Sequence, residues 1–531
     1  MCGIFGYFFA KGLCHSRDFV EEQFHKGWNR GPENSNFFKI DKVGYLGFHR
    51  LAINGLNEGS NQPLIIDKIY LICNGEIYNY RELYKKMGIE PITESDCEII
   101  IHLYMKYSMD YLLQLLDGVF SFILYDSVRN VTFVARDPYG VRPLYWSSKL
   151  VFASDLKQLT EFGNNHNINH FKPGTFLKID NQGVVTSERY STFGFSTIHM
   201  PMDQIYKNIY SGLQNAVKKR VIGTTDRPVA CLLSGGLDSS LITAFVNSFL
   251  PKGKLETYSI GLPGSTDLKY AKIVAEYLGT NHTELVVTED DFFNAIPDVI
   301  YNIETYDTTS VRASVGNYLI GKHISLHSDA KVIFNGDGSD ELTGGYLYFN
   351  AVPDSMEFDK ECRRLLSDIY QFDVLRSDKC ISSHGLEPRT PFLDRSFVQM
   401  YLGISPEIRN HTLNNKPGKY LLRESIQLCN PTLLPKEVLN RTKEAFSDGV
   451  SALDRSWFSI IKEKTESFDL EFFDTSTLIH NTPKTQEMKY YRIIFERDYP
   501  TMGHLVPYFW MPRYTQSDDP SARTLKEYSE K

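Results

Sequence analysis

The sequence predicts a two-domain α/β and α+β protein: a domain over 2–190 built from antiparallel hairpins, then one over 201–531 in which a parallel sheet is covered by helices. Three observations carry this. The chain has 531 residues, more than one hydrophobic core usually serves. Its first part reads as short strands around tight turns. Beyond about residue 201, apolar strand candidates alternate with segments of helical period, the pattern of a nucleotide-binding α/β layer.

In order, Ile69–Tyr78 reads as a strand, Phe120–Asp126 and Val131–Asp137 as a hairpin around Ser127 to Asn130, and Thr175–Asp180 and Val184–Tyr190 as another around Asn181-Gln182-Gly183. From Met202 the period changes. Ile205, Ile209, Leu213 and Val217 are four apart, as on one face of a helix. Strand candidates then alternate with helical stretches: Val229–Ser234 before Leu237–Phe249, Thr257–Leu262 before Asp267–Leu278, and Thr283–Val287 before a helical stretch and Lys331–Asn335. From Asp354 onward the pattern reads as helices and irregular loops, without internal repeats.

A net charge of −8 provides no basic field for a polyanion, which excludes nucleic acid and favours small-molecule partners. Eight cysteines, Cys14 among them, are scattered without a CxxC pair and read as reduced thiols. The apolar run Ile4 to Ala10 has no basic segment before it and ends at Lys11, so it reads as a buried first strand and not a signal peptide. No run approaches a membrane span. A cytosolic, cytoplasmic protein is expected.

Two segments carry chemistry. Cys2 follows Met1, and removal of the initiator methionine would leave a thiol and a free α-amine on one residue. The amine titrates near pH 8, so it can take the thiol proton and later return it to a leaving amine. In the second segment, Ser234-Gly235-Gly236-Leu237-Asp238-Ser239-Ser240 directly follows an apolar strand and opens a helix. Converging backbone N–H groups and the helix dipole make that an anion site. It is not a Walker loop, because GxxxxGK[ST] is absent.

The segments MCGIFGY, Arg30-Gly31-Pro32, FHRLAI, CNGEIYN and SDCE occur in the order found in class II glutamine amidotransferases, and SGGLDSS resembles the PP-loop of ATP pyrophosphatases. With ETYDTTSVRAS, NGDGSDELTGGY, HGLEPRTPFLD, TKEAFSDGV and YYRIIFERDYP, the chain resembles the eukaryotic type of asparagine synthetase from end to end. The resemblance implies an αββα Ntn-hydrolase-type glutaminase sandwich followed by an ATP pyrophosphatase domain with additional helices. It also implies glutamine, aspartate and ATP as substrates, Mg2+ as cofactor, and a homodimer.

By residue, the resemblance implies that Cys2 is the nucleophile and that Asn74 and Gly75 form the oxyanion hole. Arg50, with Leu51 and Ile53 beside it, holds the glutamine carboxylate, and Glu76 and Asp96 hold its amine. Ser234, Gly235, Gly236, Leu237, Asp238 and Ser239 cradle phosphate. Leu232, Ser259, Ile260 and Gly336 line the adenine and ribose, Asn335 belongs to the ATP site, and Lys443 meets the phosphates. Asp238 and Asp340 would hold magnesium. Thr309, Ser310 and Arg312 fall where the family stabilises adenylation, and Asp394 and Asp337 where it supports aspartate or the adenylate.

The chain departs from the family at Asn29 and Glu33, where His and Asp are usual, and at Asn335 and Asp337, where the motif usually has Ser and Glu. Two alternatives stay open, the first because fold and ammonia source do not fix the acceptor, the second on the Asp337 change alone. One is a sister amide ligase acting on another carboxylic acid; the other is a non-catalytic protein that keeps the fold. A phosphoribosyl-transferring amidotransferase is set aside, because the second half carries a PP-loop.

Overall fold

Two six-stranded antiparallel sheets are built from the first 189 residues, and a five-stranded parallel sheet from residues 229–389. The computed structural model describes residues 1–9, 15–162, 167–194, 196–224, 226–441, 443–478 and 480–525. Ala10, Lys11, Cys14 and Thr442 lie outside them.

The first sheet has the order Ile168–His170, Tyr145–Ser147, Val151–Ala153, Gly3–Phe8, Gly44–Arg50, Asn34–Ile40. The second has the order Val185–Arg189, Thr175–Ile179, Val131–Arg136, Gly118–Asp126, Ile69–Ile77, Leu64–Ile66. Strand alternation sorts the side chains. Ile72 and Ile123 point between the sheets, where they meet Ile4, Phe48 and Phe152. Their neighbours Leu71, Cys73, Phe122 and Leu124 point outward onto Leu83, Leu103 and Leu112, which lie on the helices Tyr80–Met87, Ile99–Lys106 and Met109–Leu115. On the opposite outer face, Phe5 and Tyr7 pack on Val20 and Phe24 of the helix Arg17–His25. This is the helix, sheet, sheet, helix layering that the resemblance implies.

Met202–Ile222 is a helix in which Ile205, Ile209, Leu213 and Val217 are all buried, as their spacing predicts. The parallel sheet has the order Asn281–Val286, Glu256–Gly261, Val229–Leu232, Val332–Phe334, Glu387–Arg389. Its order reverses between Val229–Leu232 and Val332–Phe334. In such a sheet the crevice beyond the carboxyl ends of the two central strands receives the ligand, and the loops that begin at Leu233 and Asn335 meet there.

Glu387–Arg389 corrects the sequence reading, which gave everything after Asp354 to helices and loops. A three-residue edge strand with Pro388 at its centre has no alternation to detect, and proline is tolerated there because an edge strand needs only one bonded side. The two domains are tightly joined. One hydrophobic cluster contains Phe5 and Tyr145 of the sandwich together with Ile300, Tyr491 and Tyr499 of the second domain. Among the described residues, no helix is long and apolar enough to cross a membrane, and seven cysteines are free thiols.

Candidate active site

The first strand starts at Gly3, so Cys2 is held at the mouth of the sandwich, its Sγ donating to Leu51 O at 3.4 Å. Arg30 Nε donates to Cys2 O at 3.0 Å and fixes the backbone there. The Met1 ammonium is fully buried and donates to Leu386 O of the second domain at 2.9 Å. Burial lowers that ammonium to about 5 and pushes the Cys2 thiol up to about 12. While Met1 is attached, the nitrogen of Cys2 is an amide and cannot take the thiol proton.

Asn74 lies on Ile69–Ile77, completely buried, and neither carboxamide atom has a hydrogen-bond partner among the described residues. Such a group suits an oxyanion that appears only during reaction. Gly75 is required sterically, because a Cβ there would meet Val119 O at 2.4 Å. Glu76 accepts from Asn54 Nδ2 at 2.7 Å and Asp96 from Ile77 N–H at 2.6 Å. Arg50 donates to Asn57 O at 2.9 Å and to Asn61 Oδ1 at 2.7 Å under the loop that contains Leu51 and Ile53, both buried. At the departing positions, Glu33 accepts from Ala52 N–H at 2.8 Å and pairs with Arg227 at 2.7 Å, which ties this loop to the second domain.

Burial raises the Asp96 carboxyl to about 6, against the Ile77 N–H, which lowers it. If Asp96 holds the glutamine ammonium, it must be ionised in the free enzyme. Protonation as pH falls through 6 then weakens the site. The expected result is a glutaminase kcat/KM that declines below pH 6 in a pH–rate profile. An Asp96→Asn variant should lack that limb, and a limb that persists unchanged in the variant would assign it to another group.

Buried charges connect the two domains. Arg30 pairs with Asp155 at 3.2 Å and Asp378 at 2.8 Å; Lys379 pairs with Asp155 at 2.7 Å and Glu304 at 2.6 Å. Arg389 lies 2.6 Å from Glu387 and 3.3 Å from Glu76. Its carbonyl accepts from Asn335 N–H at 3.1 Å, and Asn335 Oδ1 accepts from Asp337 N–H at 3.2 Å. One residue thus reaches Glu76 of the first domain with its side chain and the loop that begins at Asn335 with its backbone.

The second centre is a cavity at the reversal of the parallel sheet. Leu232, Ser234, Gly236, Leu237, Asp238 and Ser239 line one wall, Ser259 and Ile260 another, and Asn335, Gly336, Asp337 and Asp340 a third. Gly235 has φ +69°, and a Cβ there would lie 2.3 Å from Tyr270 C, so only glycine fits this turn. Ser234 Oγ and Ser239 Oγ are 3.0 Å apart and hold the loop closed.

Asp238 and Asp340 both meet the ammonium of Lys419, the latter at 2.6 Å, and Lys443 lies 2.6 Å from Asp340. Burial works to raise the Asp340 carboxyl, but the two lysines outweigh it and hold it near about 2. Two carboxylates converging on one cation beside a phosphate loop fit magnesium, which takes one or two carboxylates alongside phosphate oxygens. Sequence reasoning missed Lys419. It has φ +61°, a conformation costing a lysine roughly 1 kcal/mol, and its only signal is the Pro417-Gly418 turn before it. Arg376, 3.3 Å from Asp337 Oδ1, was missed as well.

The remaining expected residues are placed differently. Thr309 lines the cavity and donates to Trp510 O at 3.2 Å. Ser310 bonds Asp307, the cap of its own helix, at 2.8 Å. Arg312 forks onto Glu487 and Asp519, and Asp394 caps the helix Arg395–Leu402 while pairing with Arg220 at 2.8 Å. Ser310, Arg312 and Asp394 do not line the cavity.

Among the described residues Asp337 Oδ2 is buried without a partner, and Asn335 Nδ2 is anchored to Ser377 Oγ at 2.7 Å. The other Asp337 oxygen lies 3.3 Å from Arg376, a reach that a side chain one methylene longer would not keep. Asp337→Glu is therefore expected to lower ammonium-dependent AMP formation about a hundredfold, the cost of roughly 1 Å of misplacement. A large gain would instead show that the shorter side chain impairs synthesis.

The Glutamine amidotransferase domain family model matches residues 1–180, and the Asparagine synthase model matches 208–356 and 350–490. Proteins named asparagine synthetase [glutamine-hydrolyzing] from Mus musculus, Gallus gallus and Homo sapiens are 40%, 39% and 39% identical to the chain. Each alignment covers 99% of both proteins. Two chemical centres in the expected order, joined by a buried interface and matched over the full length, place this chain in the family of glutamine-hydrolysing asparagine synthetases.

Proposed function

We propose that the chain makes asparagine from aspartate, ATP and glutamine in the cytoplasm, with Cys2 processed free of Met1. Cys2 Sγ attacks the side-chain carbonyl of glutamine while its α-amine takes the thiol proton. Asn74 Nδ2 and the Gly75 N–H receive the oxyanion. Ammonia leaves with the proton returned by the amine, and water hydrolyses the thioester to glutamate. Arg50 holds the substrate carboxylate, and Glu76 and Asp96 its ammonium.

In the second centre the β-carboxylate of aspartate attacks the α-phosphorus of ATP. Pyrophosphate leaves, and the mixed anhydride with AMP remains. Lys419 and Lys443 offset charge on the phosphates. Asp238 and Asp340 would hold Mg2+, which supplies further neutralisation of the pyrophosphate when bound. Ammonia crosses the domain interface, attacks the acyl carbon and expels AMP. Asp337 and Arg376 border the place where this acyl group must lie.

The single observation that carries the reading is Arg389, whose side chain meets Glu76, two residues from the buried and unpartnered Asn74, and whose carbonyl holds Asn335 at the rim of the second cavity. Mass spectrometry of products from Met1-processed protein, ATP, Mg2+, aspartate and amide-nitrogen-labelled glutamine tests it. The expected products are labelled asparagine and AMP in equal amounts. Glutamate alone would leave a glutaminase with a different acceptor acid. The homodimer implied by the resemblance is checked by light scattering.

A further inference from the structure

The helix Thr308–His327 turns Thr309, Ala313, Asn317 and Ile320 into the cavity, spaced as on one helical face. At Gly316 this helix abuts the apolar end of the cavity: a Cβ there would lie 2.9 Å from Phe446 Cζ and 3.4 Å from Ile260 Cγ2. The lysines and carboxylates of Asp238, Asp340, Lys419 and Lys443 mark the phosphate end. Asn317 is 7% exposed, and its carboxamide has no hydrogen-bond partner among the described residues. Polar neighbours at this end are committed: Ser259 Oγ bonds His282 Nε2 at 3.1 Å, and Tyr258 OH donates to Glu256 at 2.6 Å. The Asn317 carboxamide opens onto the cavity, so its donor and its acceptor are both available to a ligand there.

We propose that Asn317 reads the nucleobase, its Oδ1 accepting from the adenine N6 amine and its Nδ2 donating to N7. A carboxamide matches that edge in two parallel bonds. Guanine presents O6 and N7 there, two acceptors, so only the Nδ2 bond can form and Oδ1 faces a carbonyl. Asn317 is thus a specificity-determining residue for ATP over GTP. The inference rests on the reading of Leu232, Ser259 and Ile260 as the nucleoside end.

The test is steady-state kinetics with ammonium as nitrogen donor and ATP, 7-deaza-ATP or GTP as nucleotide. The wild type should lose roughly tenfold in kcat/KM with 7-deaza-ATP, which lacks the N7 acceptor, and more with GTP. Asn317→Ala and Asn317→Met should lose about the same factor with ATP, through KM and not kcat, and should no longer distinguish ATP from 7-deaza-ATP. Thermal unfolding reports whether each variant folds. The proposal is overturned if the wild type uses 7-deaza-ATP as well as ATP, or if both folded variants keep its KM and its discrimination. A Leu232→Trp variant separates the two readings. If that variant loses ATP use while the Asn317 variants do not, the nucleoside end stands and base reading alone fails. If Leu232→Trp is silent as well, the nucleoside end lies elsewhere and both fail.

Discussion

Cys2→Ala is expected to abolish glutamine-dependent asparagine formation, by about a thousandfold or more, while ammonium-dependent synthesis stays within about twofold of the wild type. The separation follows from the geometry. The thioester forms on the Cys2 thiol, whereas Asp238, Asp340, Lys419 and Lys443 belong to a cavity lined wholly by the second domain. Alanine removes the sulfur and leaves the Arg30 bond to the Cys2 carbonyl intact, because that bond uses backbone. Parallel assays of asparagine from glutamine and from ammonium decide it. Loss of both activities would mean that the mouth of the sandwich supports the second centre structurally.

The complementary variant is Asp238→Asn. Asp238 accepts from Ser339 Oγ at 2.8 Å and shares Lys419 with Asp340. Its replacement removes one of two carboxylates converging on one cation and releases a buried lysine from half of its charge. Pyrophosphate release should fall by about a thousandfold, the scale of losing a principal electrostatic group at a transferring phosphoryl centre, with glutaminase turnover retained. Raising Mg2+ should recover part of the loss if the carboxylate binds the metal. A loss that added Mg2+ does not change would assign Asp238 to loop structure.

Periodicity and turn chemistry make much of this fold legible in the sequence. The four-residue spacing in Met202–Ile222 and the hairpin turns around Arg129 and Gln182 each specify a local geometry that packing then keeps. Glu387–Arg389 was not legible, because a strand of three residues acquires its identity from the neighbour it pairs with, Val332–Phe334. In the candidate sites, the residues found by motif are those in contiguous runs: Cys2, Asn74 to Glu76, Ser234 to Ser239, and Asn335 to Asp340. Lys419, Arg376 and Arg389 belong to the same centres through tertiary contact alone. Arg312 and Asp394 are the converse: they sit in matched motifs, yet their charges are spent on Glu487, Asp519 and Arg220. Motif position says which segment approaches a site, and side-chain direction is settled only once the partner segment is folded.

Arg389 is a physical link between the two centres. Its guanidinium is shared between Glu387 and Glu76, and Glu76 is also where a glutamine ammonium would compete for charge. Its carbonyl simultaneously fixes Asn335 at the rim of the second cavity. Any displacement of this residue on occupancy of one centre is a free-energy term seen by the other, and equilibrium linkage makes such a term reciprocal. Glutamine affinity measured with and without bound nucleotide must then change by the same factor as nucleotide affinity measured with and without glutamine. The three-residue strand least visible in the sequence is the segment through which that factor would be transmitted.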